Sequence, residues 1–267
     1  MKEFNIEKTE DLSYMFAYVD MIKFDFKGFN TENVKNMSHM FYGSYLEEID
    51  LTNFNTQKVK DMSYMFGHCE FLNSLNLGGI DTSSVTNMSG MFQSCLSLEE
   101  INLEGIKTSN VVDMSYMFDN LINLKNLKIE ELNTANVKNM SYMFNYCSNL
   151  ETLDVSKFIT NKVEDMSNMF TNCRKLEKIS LDNFNTENVL DMSKMFQYCS
   201  GLVTLNLESF NTEKVKSMEA MFEECEVLKE IKFSSKFNTK EVENMSKMFL
   251  SCSKIEKLDL SYFSTGK

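Results

Sequence analysis

The chain has 267 residues, of which 43% are apolar and 25% are charged, and its formal net charge is −12. It contains no proline or tryptophan, which argues against a proline-rich linker or stalk. An acidic chain lacks the cationic patches that attract nucleic acid and anionic membranes, so neither is expected as a partner. No segment approaches the ~18 consecutive apolar residues of a membrane span, so no membrane insertion is expected. Residues 1–5 begin no apolar run of signal-peptide length, so the sequence by itself predicts a cytoplasmic location.

A Met-Phe pair recurs along the whole chain at a nearly constant spacing. The phenylalanines of these pairs are Phe16, Phe41, Phe66, Phe92, Phe118, Phe144, Phe170, Phe196, Phe222 and Phe249. Self-similarity at a fixed period of this length is typical of solenoids, in which each repeat contacts only its neighbours. The sequence therefore predicts a single repeat solenoid over residues 1–267, with about ten coils of 25–27 residues.

The first copy of the repeat departs from the others. Thr9, Leu12 and Val19 stand where later copies carry Val, Met and Cys. Because the terminal repeats of solenoids are atypical, residues 1–20 are predicted to be a degenerate N-terminal capping repeat.

Each later copy contains an L-x-x-L-x-L segment, for example Leu72, Leu75 and Leu77. Its last three residues alternate between apolar and polar, which is typical of a half-buried strand. Stacked in register, these strands are expected to form a parallel sheet with one polar face outward.

A corner with the pattern F-N-T-x-x-V follows the strand, as in Phe54, Asn55, Thr56 and Val59. Short polar side chains such as Asn and Thr bond locally to the backbone and suit turns. The residue before the Asn is Phe, Ile or Leu, so its side chain is expected to point inward.

The Met-Ser-x-Met-Phe-x-x-Cys segment completes the unit. Met62, Met65, Phe66 and Cys69 fall at i, i+3, i+4 and i+7, the spacing of one helix face, and Ser63 is suited to an N-cap. The pattern predicts a short helix over Tyr64–Cys69, or alternatively one longer helix beginning near Thr56. The predicted fold class is therefore an α/β repeat solenoid.

The repeated cysteines and acidic residues are predicted to be structural. The slot of the seven cysteines also accepts Leu121, Val19 and Ser44, which indicates a small buried site with free thiols; disulfides are the alternative. The Asn/Asp slot before the first Met, such as Asp61, is expected to satisfy turn backbone. Calcium is the alternative there, but the Gly-Gly-x-Gly-x-Asp pattern of calcium-binding solenoids is missing. No metal or cofactor is expected.

Recognition is expected at slots that vary between copies. The residue between Ser and the second Met is aromatic in several of the first six copies, and exposed Tyr is a favoured interface anchor. The candidate partner-binding residues are Tyr14, His39, Tyr64, Tyr116 and Tyr142. The alternative is that these rings only cover neighbouring apolar surface. The polar row of the strands is a second candidate surface.

Catalysis is not predicted. The two histidines, His39 and His68, occupy variable slots, and no phosphate loop, nucleophile elbow or paired carboxylate stands out from the repeats. A hydrolase or lyase on a β-solenoid would need a carboxylate cluster unique to a few coils, and the sequence shows none.

The unit, seen at residues 46–69 and 150–173, resembles that of the BspA-like leucine-rich-repeat surface proteins over essentially the whole chain. This resemblance implies a leucine-rich-repeat-like solenoid, a bacterial surface location and a role in adhesion and protein binding. No lipidation cysteine stands near the N-terminus, and no site residue transfers from the family.

The predicted function is a non-enzymatic protein-interaction or adhesion module. A structural spacer or self-assembling subunit is the alternative. In that case the chain would associate with itself through its C-terminal sheet edge, since the unpaired backbone groups of an exposed edge can pair with another chain.

Overall fold

A computed structural model of the chain describes residues 6–23, 26 and 28–264. Residues 1–5, at which no signal peptide is predicted, and the last repeat threonine, Thr265, lie outside the described residues. Seven short strands occur among those described, and all pair in parallel with a neighbouring coil. They are β1 Glu48–Asp50, β2 Ser74–Asn76, β3 Asn126–Leu127, β4 Thr152–Leu153, β5 Thr204–Asn206, β6 Glu230–Lys232 and β7 Lys257–Leu258.

The strands form three separate sheets, β1-β2, β3-β4 and β5-β6-β7. The register pairs equivalent slots of successive coils, for example Ile49 with Leu75 and Leu205 with Ile231. The central residue of each three-residue strand is buried and the first faces outward or is half-buried, as alternation predicts. The prediction of a parallel repeat solenoid is confirmed, although its sheet is interrupted.

The continuous ladder of the solenoid lies at the Asn/Asp slot instead. Parallel bridges connect Asp11 to Asn36, Asn36 to Asp61, and so on through every copy to Asn244. The side chain of this slot also accepts a hydrogen bond from the backbone two residues later, as in Ser63 N–H to Asp61 Oδ1 at 2.8 Å. The prediction that this slot satisfies turn backbone is therefore confirmed.

The predicted helix at Tyr64–Cys69 is wrong, and so is the longer alternative, because the described residues contain no helix. Tyr64 and His68 have left-handed φ angles of 52° and 58°. Four-residue turns are closed by hydrogen bonds from Met65 N–H to Met62 O and from Cys69 N–H to Phe66 O, while Tyr64 N–H donates to Ser89 O in the next coil.

Coil spacing explains why a helix does not form. The invariant phenylalanines stack in one column whose successive ring centroids are 5.5 to 6.3 Å apart. An α-helix with its side chains is about 10–12 Å across and bonds its N–H groups internally. The successive turns keep the apolar face inward, and every second N–H group is still free to donate a hydrogen bond to the next coil.

The invariant threonines also act between coils and not locally. Thr134 Oγ1 donates to Ile159 O at 3.0 Å and accepts from Ile159 N–H at 2.7 Å. The same pair of bonds recurs at Thr31, Thr56, Thr82, Thr108, Thr160, Thr186 and Thr239. The Asn of the corner makes the local bond, as in Gln57 N–H to Asn55 Oδ1. The expectation of a local bond thus holds for Asn and is wrong for Thr.

The core is one continuous apolar cluster running through the stack. The corner residues Phe54, Ile80 and Phe210 are buried in it, which confirms that this slot points inward. The seven cysteines are free thiols, of which Cys252 is half-buried and the rest are buried. Each thiol donates to the carbonyl of the preceding coil's phenylalanine, as in Cys95 Sγ to Phe66 O at 3.1 Å.

Candidate functional site

The candidate residues all occupy one slot, whose backbone is left-handed in every copy. The φ angle is 52° at Tyr64, 58° at Asn168 and 57° at Gly90. In this conformation the slot's N–H donates to the next coil, as Tyr116 does to Ser141 O at 2.9 Å. The backbone bonds do not depend on the side chain, so the slot can vary without loss of the ladder.

The structure groups the five candidate residues into two stacks, which we call the aromatic column. His39 lies between Tyr14 and Tyr64, with ring centroids 4.4 and 4.9 Å apart and nearly parallel planes. Tyr116 and Tyr142 form the second stack at 4.5 Å and an interplanar angle of 9°. Offset-stacked rings at such distances attract each other, so the column is ordered before any partner binds.

Gly90 separates the two stacks of the column. The Tyr64 ring lies over its backbone, so that a methyl group at Gly90 would lie 2.2 Å from Tyr64 Cε1. Tyr14 is 54% exposed, whereas the other four residues are half-buried. Each of those four therefore presents only part of its ring to solvent.

The four half-buried residues of the column are uncharged near neutral pH. Burial raises the pKa of Tyr116 to about 12, with the neighbouring Tyr142 contributing. Burial also raises the pKa of Tyr64 and Tyr142, assisted by nearby aspartates. Burial lowers the pKa of His39 against the opposing effect of Asp61, and its Nδ1 has no hydrogen-bond partner among the described residues. The column therefore offers flat apolar faces with phenol hydroxyls that remain able to donate.

An amide–carboxylate ladder lies next to the column, in the slot after the invariant phenylalanine. Asp119 accepts from Gln93 Nε2 at 2.6 Å and from Asn145 Nδ2 at 2.8 Å. Burial raises the pKa of Asp119, and these two hydrogen bonds oppose the shift. The sequence analysis missed this cluster because its three polar residues occupy a slot filled elsewhere by Tyr42, Gly67 and other types.

A second aromatic group, also missed from the sequence, lies in the first three coils. Tyr18 packs edge-on against Tyr42 at 5.5 Å, and Tyr42 lies 5.1 Å from His68. Tyr45 and Phe71 stack at 5.1 Å and are 49% and 50% exposed. The signal that could have found them is the presence of aromatic residues at outward slots that most other copies fill with polar side chains.

The polar strand face forms a broad groove. Its volume is about 1060 Å³, and it spans the coils of Ser74, Asn102 and Asn126. Carboxylates outnumber ammonium groups along it: its lining includes Glu99, Glu100, Glu104, Glu130 and Glu131 but only two lysines, Lys125 and Lys128. The groove is the structural counterpart of the second surface expected from the sequence.

Within the described ranges there is no group of three or more His, Cys, Asp or Glu residues that could hold a metal ion. Nor does that part of the chain include a helix with the length and apolarity needed to cross a bilayer.

Three overlapping segments, residues 1–103, 97–204 and 175–267, match the family described as "Mycoplasma protein of unknown function, DUF285". Together they span the chain. The chain belongs to this family. None of the curated proteins compared with it matches.

Solved structures that are similar to the chain at low identity include two leucine-rich-repeat proteins. One from Eubacterium ventriosum is 17% identical with a TM-score of 0.46, covering 96% of this chain and 70% of that one. One from Bacteroides ovatus is 20% identical with a TM-score of 0.38, covering 88% and 68%. The functional domain of InlJ from Listeria monocytogenes, which includes a cysteine ladder, is 14% identical with a TM-score of 0.26, covering 91% and 49%.

Proposed function

We propose that the chain is a non-enzymatic protein-interaction module, with adhesion as its role in a BspA-like surface protein, and that the aromatic column is its interface. Residues 1–20 serve in this proposal as the N-terminal cap of the array. Leu12 is buried there, while Tyr14 on the same coil is 54% exposed.

The stacking of Tyr14, His39 and Tyr64 is the observation that carries the proposal. Rings held 4.4 and 4.9 Å apart on successive coils lose little conformational freedom when a partner covers them. Tyrosine is enriched among the residues that contribute most to protein interfaces, since it combines a large apolar face with a hydroxyl. The varied residues of this slot in later coils, such as Lys194, show that the stack of coils does not need an aromatic there.

The test compares three immobilised forms of the chain in a lysate of the producing cells: wild type, Tyr64→Asn/Tyr116→Asn/Tyr142→Asn, which alters both stacks of the column, and Asn168→Ala/Lys194→Asn. Asparagine suits the left-handed backbone, and Asn168 already occupies the slot with φ of 58°. We expect specific proteins captured by wild type and by the control to be lost with the column variant. Equal capture by all three forms, with unchanged unfolding midpoints, would show that the column is not the interface.

Self-assembly is the second candidate, favoured by the direction of the inter-coil bonds. In the last described coil, the N–H groups of Met245, Lys247 and Phe249 have no partner among the described residues. In the first, the carbonyls of Ser13 and Met15 are likewise unpaired within that part of the chain. A second copy stacked head to tail would join these donors and acceptors.

Sedimentation velocity tests this alternative. Assembly predicts oligomers that grow with concentration and are lost in Met245→Glu/Leu260→Lys, since both side chains are exposed at the open face, 38% and 43%. The control Leu190→Lys changes an exposed residue in the middle of the stack and should leave the oligomers intact. A monomer at all concentrations would eliminate assembly and leave the first proposal in place.

A further inference from the structure

A cleft lies between two rows of aromatic side chains in the first three coils. Tyr18, Tyr42 and His68 form one row, and Tyr45 and Phe71 form the other. The cleft between them has a volume of about 270 Å³ and includes the carboxylate-bearing residue Glu70. It is separate from the Tyr116–Tyr142 stack.

At the slot of Phe71, the side chains of the next three coils make a stabilising hydrogen bond that phenylalanine cannot make. At the slot of Phe71, Ser97 Oγ donates to Glu70 O at 2.7 Å and Asn123 Nδ2 donates to Leu96 O at 2.8 Å. Asn149 makes the same bond to Ile122 O. Phe71 has no polar group with which to make this bond, and half of its surface is exposed. Phe71 therefore presents an exposed aromatic face in place of the hydrogen bond that the next three coils make, and this face is available to a ligand.

Gly43 opens the floor of the cleft. It has a φ of 64°, and a methyl group at this position would lie 2.7 Å from Cδ1 and Cε1 of Tyr18. The equivalent slot carries Tyr18, His68 and Ser94 in neighbouring coils, so a side chain is normal there. Glycine at this one coil lets the Tyr18 ring lie over the backbone and form a wall of the cleft.

The charge of the cleft favours a cation. Glu70 lines it, no lysine or arginine is among the described residues around it, and the chain carries a net charge of −12. Aromatic faces attract cations through the ring quadrupole, most strongly where water is displaced. Burial raises the pKa of Tyr42, with Tyr18 contributing, so the central phenol stays neutral near pH 7.

The shape of the cleft favours a flat cation. Tyr45 and Phe71 are half exposed, so their rings form an open wall and not a closed cage. A guanidinium group is planar and weakly hydrated, stacks on aromatic faces and can pair with a carboxylate through two N–H groups. A spherical trimethylammonium group gains most when rings surround it, which this open wall does not provide.

We propose that this cleft binds an arginine side chain of a protein partner, with the guanidinium on the Tyr45–Phe71 wall and paired with Glu70. The inference rests on the proposed interaction function and adds to it a recognition element distinct from the Tyr116–Tyr142 stack.

The test uses the full chain and the peptide acetyl-Gly-Arg-Gly-amide, with binding followed by saturation-transfer NMR. The neutral control peptide replaces arginine by citrulline, which has nearly the same shape without the charge. We expect the arginine peptide to bind and the citrulline peptide to bind at least tenfold more weakly. Equal binding of the two peptides, or none of either, would overturn the inference.

Three variants locate the binding. Phe71→Ser installs the side chain found at Ser97 and should keep the fold while weakening arginine binding about tenfold. Glu70→Gln should weaken it by a similar factor. Tyr146→Ser, which changes an exposed ring outside the cleft, should leave it unchanged. Arginine binding that survives both cleft variants would overturn the assignment, as would tetramethylammonium binding more tightly than the arginine peptide.

The lysate experiment separates this inference from the function on which it rests. If partner capture is lost with the column variant Tyr64→Asn/Tyr116→Asn/Tyr142→Asn but kept with Phe71→Ser, the interaction function stands and the cleft inference fails. If capture is lost with Phe71→Ser but kept with Tyr146→Ser, and excess arginine peptide blocks wild-type capture while excess citrulline peptide does not, the cleft is supported.

Discussion

The ring of Tyr64 lies over the backbone of Gly90, the residue that occupies the same slot in the next coil. Elsewhere in the two stacks, the aromatic rings of neighbouring coils pack against each other. Gly90 has no side chain, so the Tyr64 ring packs directly on its backbone. The contact ends the first stack of the aromatic column and makes the Tyr64 position dependent on a glycine.

We therefore predict that Gly90→Ala destabilises the protein by about 1–2 kcal/mol, since an L-residue is disfavoured in the left-handed conformation. The added methyl group also displaces the Tyr64 ring from a position 2.2 Å away. Urea unfolding measures the stability, and near-ultraviolet circular dichroism reports the ring. Ala220 already holds this conformation with φ of 53°, so the fold itself should survive. An unchanged midpoint together with an unchanged tyrosine signal would contradict this account.

The invariant phenylalanines differ in burial, so their replacement is expected to cost different amounts of stability. Phe144 is fully buried and stacks on Phe118 and Phe170 at 5.6 and 5.7 Å. Phe144→Ala should cost about 3–5 kcal/mol in urea unfolding because it removes the ring and leaves a cavity between rigid neighbours. Phe249 is half-buried in the last described coil, so Phe249→Ala should lower the unfolding free energy by less. Equal losses of unfolding free energy at Phe144 and Phe249 would contradict the view that burial determines how much each phenylalanine stabilises the fold.

The threonine ladder predicts that a methyl group cannot replace the hydroxyl. Thr134→Val keeps the shape but removes both bonds to the Ile159 backbone. We expect a loss of about 1–3 kcal/mol, because the part-buried N–H and carbonyl of Ile159 lose their partner. Thr152, which is exposed and bonds only the Asn126 side chain, is the control, and Thr152→Val should change the unfolding free energy little. Similar changes in unfolding free energy for Thr134→Val and Thr152→Val would show that the threonine ladder is not stabilising.

The buried thiols predict a loss of stability in alkaline solution. Burial raises the pKa of Cys69 to about 11 and of Cys147 and Cys199 to about 12, from an ordinary value of 9.0. Below pH 9 the thiols are protonated in both states, so their full stabilising effect is present. Between about pH 9 and 12 the unfolded chain releases protons that the folded chain retains, so the unfolding free energy falls as pH rises.

Unfolding measured by urea at each pH tests this slope. A Cys147→Ala/Cys199→Ala variant should be less stable at pH 7 but lose less stability between pH 9 and 11. If the unfolding free energy of the variant falls with pH as steeply as that of wild type, groups other than these thiols cause the alkaline loss of stability.

Thiol alkylation should follow burial. Cys252 is half-buried, and burial raises its pKa to about 11. The other six thiols are buried. Mass spectrometry after iodoacetamide treatment at pH 8 should show Cys252 modified first, and the rest modified only when urea is present. All seven should then be modified without any reductant. Pairs of cysteines that stay unmodified until reduction would show disulfides instead.

The sequence by itself determined the period, the inward residues and the parallel stacking. A slot that never changes, such as that of Phe144, must serve the stack, because each coil meets the same neighbour on both sides. The same comparison identified the outward slot of Tyr64 and the free thiols, since Leu121 and Ser44 share the cysteine site.

Only the tertiary structure decided the conformation of the Met-Phe segment and the grouping of its aromatic residues. Helix spacing and alternating left-handed turns place the same residues inward, so the periodicity of Met62, Met65, Phe66 and Cys69 fits both. The close spacing of the coils favours the turns. A helix is too wide for this spacing, and its N–H groups bond within the helix and not to the next coil. The cleft around Gly43 depends on contacts between coils of slightly different length, which no single repeat contains.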